Sequence, residues 1–230
     1  RVSASWLMDD DLASAGVHVV GLVLTLLFGL YLLSRAQTPL ERLSMRALCA
    51  GWIVLYLASV SYHLADHNGI VNHITVALDD GAIFVAIAAT YTPIAWLALR
   101  PADGRLVLRL LWCGAAVALA GAAIASVSGF VHWYQPGMLV AGTMCGWGPS
   151  IAYCRTLARA LPRAAVLLVL ASGAVYVGGA YFYHDHSVPW HHTYWHAAVV
   201  LGCLLDFAAI AALLTAQRRP GGAALSQNLT

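Results

Sequence analysis

The sequence predicts an all-α integral membrane protein, a bundle of seven transmembrane helices. Three observations carry this. First, 61% of the 230 residues are hydrophobic and only 10% are charged, whereas a soluble domain carries about 25% charged residues. Second, the apolar residues gather into seven runs of roughly 17–25 residues, the length a helix needs to cross a hydrocarbon core of about 30 Å and too long for barrel strands. Third, the links between the runs alternate between Arg-rich and Arg-free.

Taken in order, the runs cover Ala15–Leu33, Ala47–His63, Leu78–Leu99, Leu106–Ser126, Pro136–Tyr153, Ala164–Tyr183 and His192–Ala216. The links are short, so a single membrane domain is expected over residues 1–230. The start, Arg1 to Trp6 followed by Asp9-Asp10-Asp11, lacks the basic and apolar regions of a cleavable signal peptide. The fourth run is dense in Gly and Ala between Gly114 and Ala125, which lets helix backbones approach closely in lipid. Pro93 and Pro149 are expected to kink their helices. The five cysteines are scattered through apolar runs without a CxxC pair, as buried small hydrophobes would be.

Charge sets the expected orientation. The first link holds Arg35, Arg42 and Arg46; the third holds or borders Arg100, Arg105 and Arg109; the fifth holds Arg155, Arg159 and Arg163; the tail has Arg218 and Arg219. The second, fourth and sixth links contain no Arg. The positive-inside rule places the odd links and the C-terminus in the cytoplasm, and the N-terminus and even links outside. A net charge of +2 gives no electrostatic footprint for nucleic acid; the expected partners are membrane lipids.

Polar groups inside a bilayer need a partner or a task. The second run ends Ser59-Val60-Ser61-Tyr62-His63, the third opens Leu78-Asp79-Asp80, and the seventh opens His192-Thr193-Tyr194-Trp195-His196. In helices, Ser59 and His63 share a face, and so do His192 and His196. All lie toward the even-link side, so three imidazoles and a carboxylate can converge if these helices are neighbours. Three histidines with an open position suit catalytic zinc, which lowers the pKa of bound water to about 7. Asp79 would bind, orient or deprotonate that water, and Ser59 would support it. The competing account is a set of interfacial histidines snorkelling toward water, since His184, His186 and His191 crowd the same link. A bis-histidine haem lacks a second facing pair. His18 suits a capping or interfacial role better than a ligand role. Asp206 falls near mid-membrane, either as a functional acid or as part of a Tyr or Ser network. Asp66, His67 and His73 are expected to be solvated.

Taken together, these residues resemble the hemolysin III proteins, the bacterial branch of the progestin and adipoQ receptor (adiponectin receptor-like) superfamily. The pattern is Ser-x-x-x-His ending the second helix, Asp opening the third, and His-x-x-x-His opening the seventh. Ser59, His63, Asp79, His192 and His196 fill it. Asp11, Ser14 and His18 partly match an N-terminal Glu-x-x-Asn-x-x-x-His pattern, and Asp80 stands where the bacterial branch often has His. The resemblance implies a Zn²⁺ ion held by His63, His192 and His196 with Asp79 and Ser59 beside it, in the bacterial inner membrane. It implies a hydrolase of lipid amide or ester bonds acting in membrane-lipid homeostasis. The alternatives are a non-enzymatic sensor or receptor of membrane state with structural zinc, and, with less support, a pore-forming hemolysin. The adiponectin receptors have a cytoplasmic N-terminus, opposite to what the Arg distribution predicts here.

Overall fold

A computed structural model describes residues 4–128 and 131–218. Among these residues the regular structure is entirely helical: α1 (Ala4–Arg35), α2 (Pro39–Leu64), α3 (Gly69–Ala98), α4 (Pro101–Ser128), α5 (Val131–Ala152), the short α6 (Cys154–Ala160), α7 (Arg163–His184) and α8 (His191–Gln217). The breaks follow local chemistry. α2 opens on a capping box: Glu41 N–H donates to the Thr38 hydroxyl at 3.1 Å, and Thr38 N–H donates to the Glu41 carboxylate at 3.1 Å. Pro39 follows at a position where its missing N–H costs nothing. Gly69 opens α3 with φ +64, a backbone that glycine adopts without steric penalty.

Among the described residues, six helices are long and apolar enough to cross a membrane: α1 from Asp9, α2, α3, α4, α7 and α8. The fifth expected crossing, Pro136–Tyr153, falls on α5 and is not among the six. Gln135, Pro136, Thr143, Pro149, Ser150 and several glycines dilute its apolar residues. The helices also run past the apolar segments that signalled them. α3 begins at Gly69 rather than at Leu78, so Asp79 lies about 15 Å inside the helix instead of at its mouth.

α2 packs between α1 and α3, α3 packs on α4, and α8 packs on α7 and α1. The core joining α1, α2 and α8 contains Leu32, Met45, Leu48, Trp52, Tyr56, Val200, Phe207 and Ile210. Outward faces are apolar: Leu27 is 59% exposed, Val117 71% and Leu167 66%, which suits contact with lipid chains. Tyr91 on α3 holds α5 through the Gly146 carbonyl and, at 2.6 Å, the Ser150 hydroxyl.

The seam between α2 and α3 matters for the site, because these helices carry His63 and Asp79. At Gly51 an added Cβ would lie 2.2 Å from the Ala89 Cβ and 3.2 Å from the Val85 carbonyl oxygen. Gly51→Ala is therefore expected to spread the two helices and destabilise the bundle by about 1–3 kcal/mol. Thermal unfolding in detergent micelles checks this; an unchanged midpoint would show that the seam yields freely.

Candidate metal centre

His63 occupies the last turn of α2, and His192 and His196 occupy the first turns of α8. α2 ends and α8 begins at the same end of the bundle, and α1 contacts both helices. This brings one ligand nitrogen from each of the three rings to within 4.8 Å of the others. The ring centroids lie 5.0 Å (His63–His192), 4.8 Å (His63–His196) and 4.6 Å (His192–His196) apart. A tetrahedral ion with bonds of about 2.0 Å needs ligand nitrogens about 3.3 Å apart, so small ring movements suffice.

The hydrogen bonds test whether a cation fits. His63 Nδ1 lies 2.8 Å from the Asp11 carboxylate. A carboxylate only accepts, so Nδ1 carries the proton of a neutral His63 and Nε2 presents its lone pair. That lone pair faces His196 Nε2 at 2.9 Å. His192 Nε2 is buried without a hydrogen-bond partner, a state that costs about 1–3 kcal/mol unless something binds there. Two imidazole nitrogens facing each other beside an orphaned third suit a cation that prefers nitrogen donors.

Asp79 on α3 is half-buried and lies close enough to His63 to interact with it electrostatically, with Ser59 beside it. Ser59 is fully buried, with its hydroxyl beside the Asp79 carboxylate. The structure thus places Ser59 and Asp79 at the edge of the histidine cluster and His63, His192 and His196 at its centre. His191 turns away: its Nδ1 lies 3.1 Å from the Phe182 carbonyl and its ring packs on His186.

Three residues of α1 take a larger part than the sequence suggested. His18 is neither a cap nor interfacial. It is 2% exposed, with Nε2 lying 2.8 Å from His196 Nδ1. Asp11 bridges His63 and, at 3.2 Å, the exposed ring of His67. Asp10 receives Thr193 N–H at 3.0 Å and the Thr193 hydroxyl at 2.5 Å. α8 has no side-chain cap of its own, and its preceding residue, Trp190, sits at φ 61. Asp10 therefore caps α8 from another helix and sets a negative charge at its positive end. The available signal was the spacing of Asp11, Ser14 and His18, which share one helical face. Asp206, deeper on α8, accepts a 2.9 Å hydrogen bond from Tyr176 and belongs to a buried polar network. Tyr176 reaches it across Gly202, where a Cβ would lie 2.3 Å from the ring.

Fold and site define a class: a multi-span helical membrane protein that gathers three imidazoles at one end of its bundle. The chain belongs to the haemolysin-III-related family, whose profile matches residues 8–207. It is 27% identical over 207 residues to Hemolysin-3 of Bacillus cereus, covering 87% of this chain and 90% of that protein. It is likewise 27% identical over 207 residues to the Hemolysin-3 homolog of Bacillus subtilis (strain 168), covering 87% of this chain and 92% of that one.

Proposed function

We propose that this protein is a zinc-dependent membrane hydrolase that cleaves an amide or ester bond of a membrane lipid and acts in membrane-lipid homeostasis. The observation behind this reading is the cluster of His63, His192 and His196 with a separate carboxylate, Asp79, at its edge. Three imidazole donors with one position left open suit zinc better than the harder cations, which prefer oxygen. Zinc held by these histidines would supply Lewis acidity toward a carbonyl and acidify a water molecule. Asp79 takes the proton from the attacking water and returns it to the leaving group. Ser59, beside Asp79, holds that carboxylate in position. The apolar outer faces of the bundle set the protein among membrane lipids, the proposed source of the substrate.

A second reading, a sensor or receptor of membrane state with structural zinc, draws on the placement of His63 and His196 on different helices, which a metal would tie together. The name hemolysin, carried by the relatives, raises pore formation as a third. For that the described interior offers mainly Asp206, which is engaged by Tyr176. Metal content measured together with lipid products, on wild type and on Asp79→Asn, separates the first two readings.

In the same reading α5 is the seventh crossing of a single membrane domain, since its 22 residues rise about 33 Å. The bundle sits in a bacterial inner membrane with the metal centre and N-terminus outside and the Arg-rich links in the cytoplasm. A phosphatase fused to the C-terminus, active only outside the cytoplasm, is expected to be silent while a fused fluorescent protein reports. An active phosphatase would reverse the orientation.

A further inference from the structure

α1 contributes none of the three clustered imidazoles, yet it touches the two that face each other. Asp11 lies 2.8 Å from His63 Nδ1, and His18 Nε2 lies 2.8 Å from His196 Nδ1. Asp11 and His18 are seven residues apart on one face of α1, so one rigid helix engages the outer nitrogens of rings from α2 and α8. Ser14, between them on that face, lies 3.3 Å from the Thr193 hydroxyl, and Asp10 caps α8 through Thr193. The same helix therefore fixes both the position of α8 and the two rings.

We infer that α1 is the positioning element of this centre: Asp11 and His18 hold His63 and His196 in the tautomers whose Nε2 lone pairs face a common metal ion. The inference rests on the metal-centre reading. A neutral imidazole binds a metal through the nitrogen that lacks a proton. For His63 the acceptor-only carboxylate of Asp11 draws the proton to Nδ1 and frees Nε2. For His196 the same outcome requires an acceptor at Nδ1, and His18 Nε2 provides it. The other tautomer of His196 points an N–H at His63 and cannot ligate. With His18 accepting at Nε2, its own proton sits on Nδ1, a buried nitrogen without a hydrogen-bond partner. Three rings carry three protons throughout; only their positions are chosen. Asp11 and His18 are positioning residues rather than ligands, in the manner of outer-shell carboxylates and carbonyls that orient metal-bound histidines.

The test is the zinc affinity of the purified full chain, measured by chelator competition in detergent. Asp11→Ala and His18→Phe are each expected to weaken zinc binding about 10–100-fold while one ion still binds at saturation. His18→Gln, whose side-chain carbonyl can accept from His196, is expected to restore most of the affinity. Unchanged affinity in both Asp11→Ala and His18→Phe would overturn the inference, as would equal impairment of His18→Phe and His18→Gln. A measurement on the unaltered protein guards against variants that fail to fold: nitrogen-15 spectra of zinc-loaded wild type should show the imidazole proton on Nδ1 of both His63 and His196. A proton on Nε2 of either would overturn the inference by itself. Failure of wild type to bind zinc would instead remove the metal-centre reading, and this inference with it.

Discussion

His196→Ala is expected to lose essentially all tight zinc binding, with affinity at least about 100-fold weaker, beyond the loss expected for an outer residue. His196 is the hub of the cluster. Its Nε2 faces His63 at 2.9 Å, its Nδ1 meets His18 at 2.8 Å, and its ring packs on His192 with centroids 4.6 Å apart. Alanine removes one ligand and leaves the buried His18 and His63 nitrogens facing a void. A ligand present at 1,000 times its dissociation constant stabilises the native state by about 4 kcal/mol. Wild type should therefore show a large zinc-dependent rise in its unfolding midpoint, and His196→Ala should show almost none. Atomic absorption on the purified chain and thermal unfolding with and without added zinc are the measurements. Equal zinc content in wild type and variant would mean that the metal lies elsewhere.

Asp79→Asn is expected to separate catalysis from binding. Asn fills the same volume but cannot take a proton. If Asp79 is the general base, zinc content should stay at the wild-type level while lipid turnover falls by about 10²–10⁴-fold. The assay is mass spectrometry of products released from amide-linked and ester-linked acyl lipids presented in nanodiscs. Full zinc with unchanged turnover would favour the sensor reading, in which the ion ties α2 to α8 and Asp79 is only a neighbour. The two variants are complementary. His196→Ala asks whether the site holds a metal, and Asp79→Asn asks whether the metal does chemistry.

The motif of Ser59 and His63, Asp79, and His192 and His196 was legible in the sequence because helical spacing fixes which side chains share a face. The alternation of Arg-rich and Arg-free links then put all of them toward one end of the bundle. The α1 contribution was not legible in the same way. Asp9-Asp10-Asp11 looks like a solvated acidic start, and His18 like an interfacial imidazole, until α1 is laid against α2 and α8. Asp206 shows the opposite balance: its depth was readable from helical rise, but Tyr176 as its partner required the packing of α7 over Gly202. The sixth and seventh apolar runs mark α7 and α8 well, while α5 falls short because polar residues and glycines interrupt its apolar content.

By itself, then, the sequence determined the membrane class, the helical content, the family pattern and the three histidines that could meet. Those depend on composition and on periodicity within single helices, which each segment carries locally. Only the tertiary structure decided that the three rings do meet, and that Asp11 and His18 grip His63 and His196 from behind while Asp10 caps the helix bearing His192 and His196. These are contacts between residues up to 183 positions apart. No local pattern encodes which face of α1 turns toward α2 and α8; the packing of the whole bundle does.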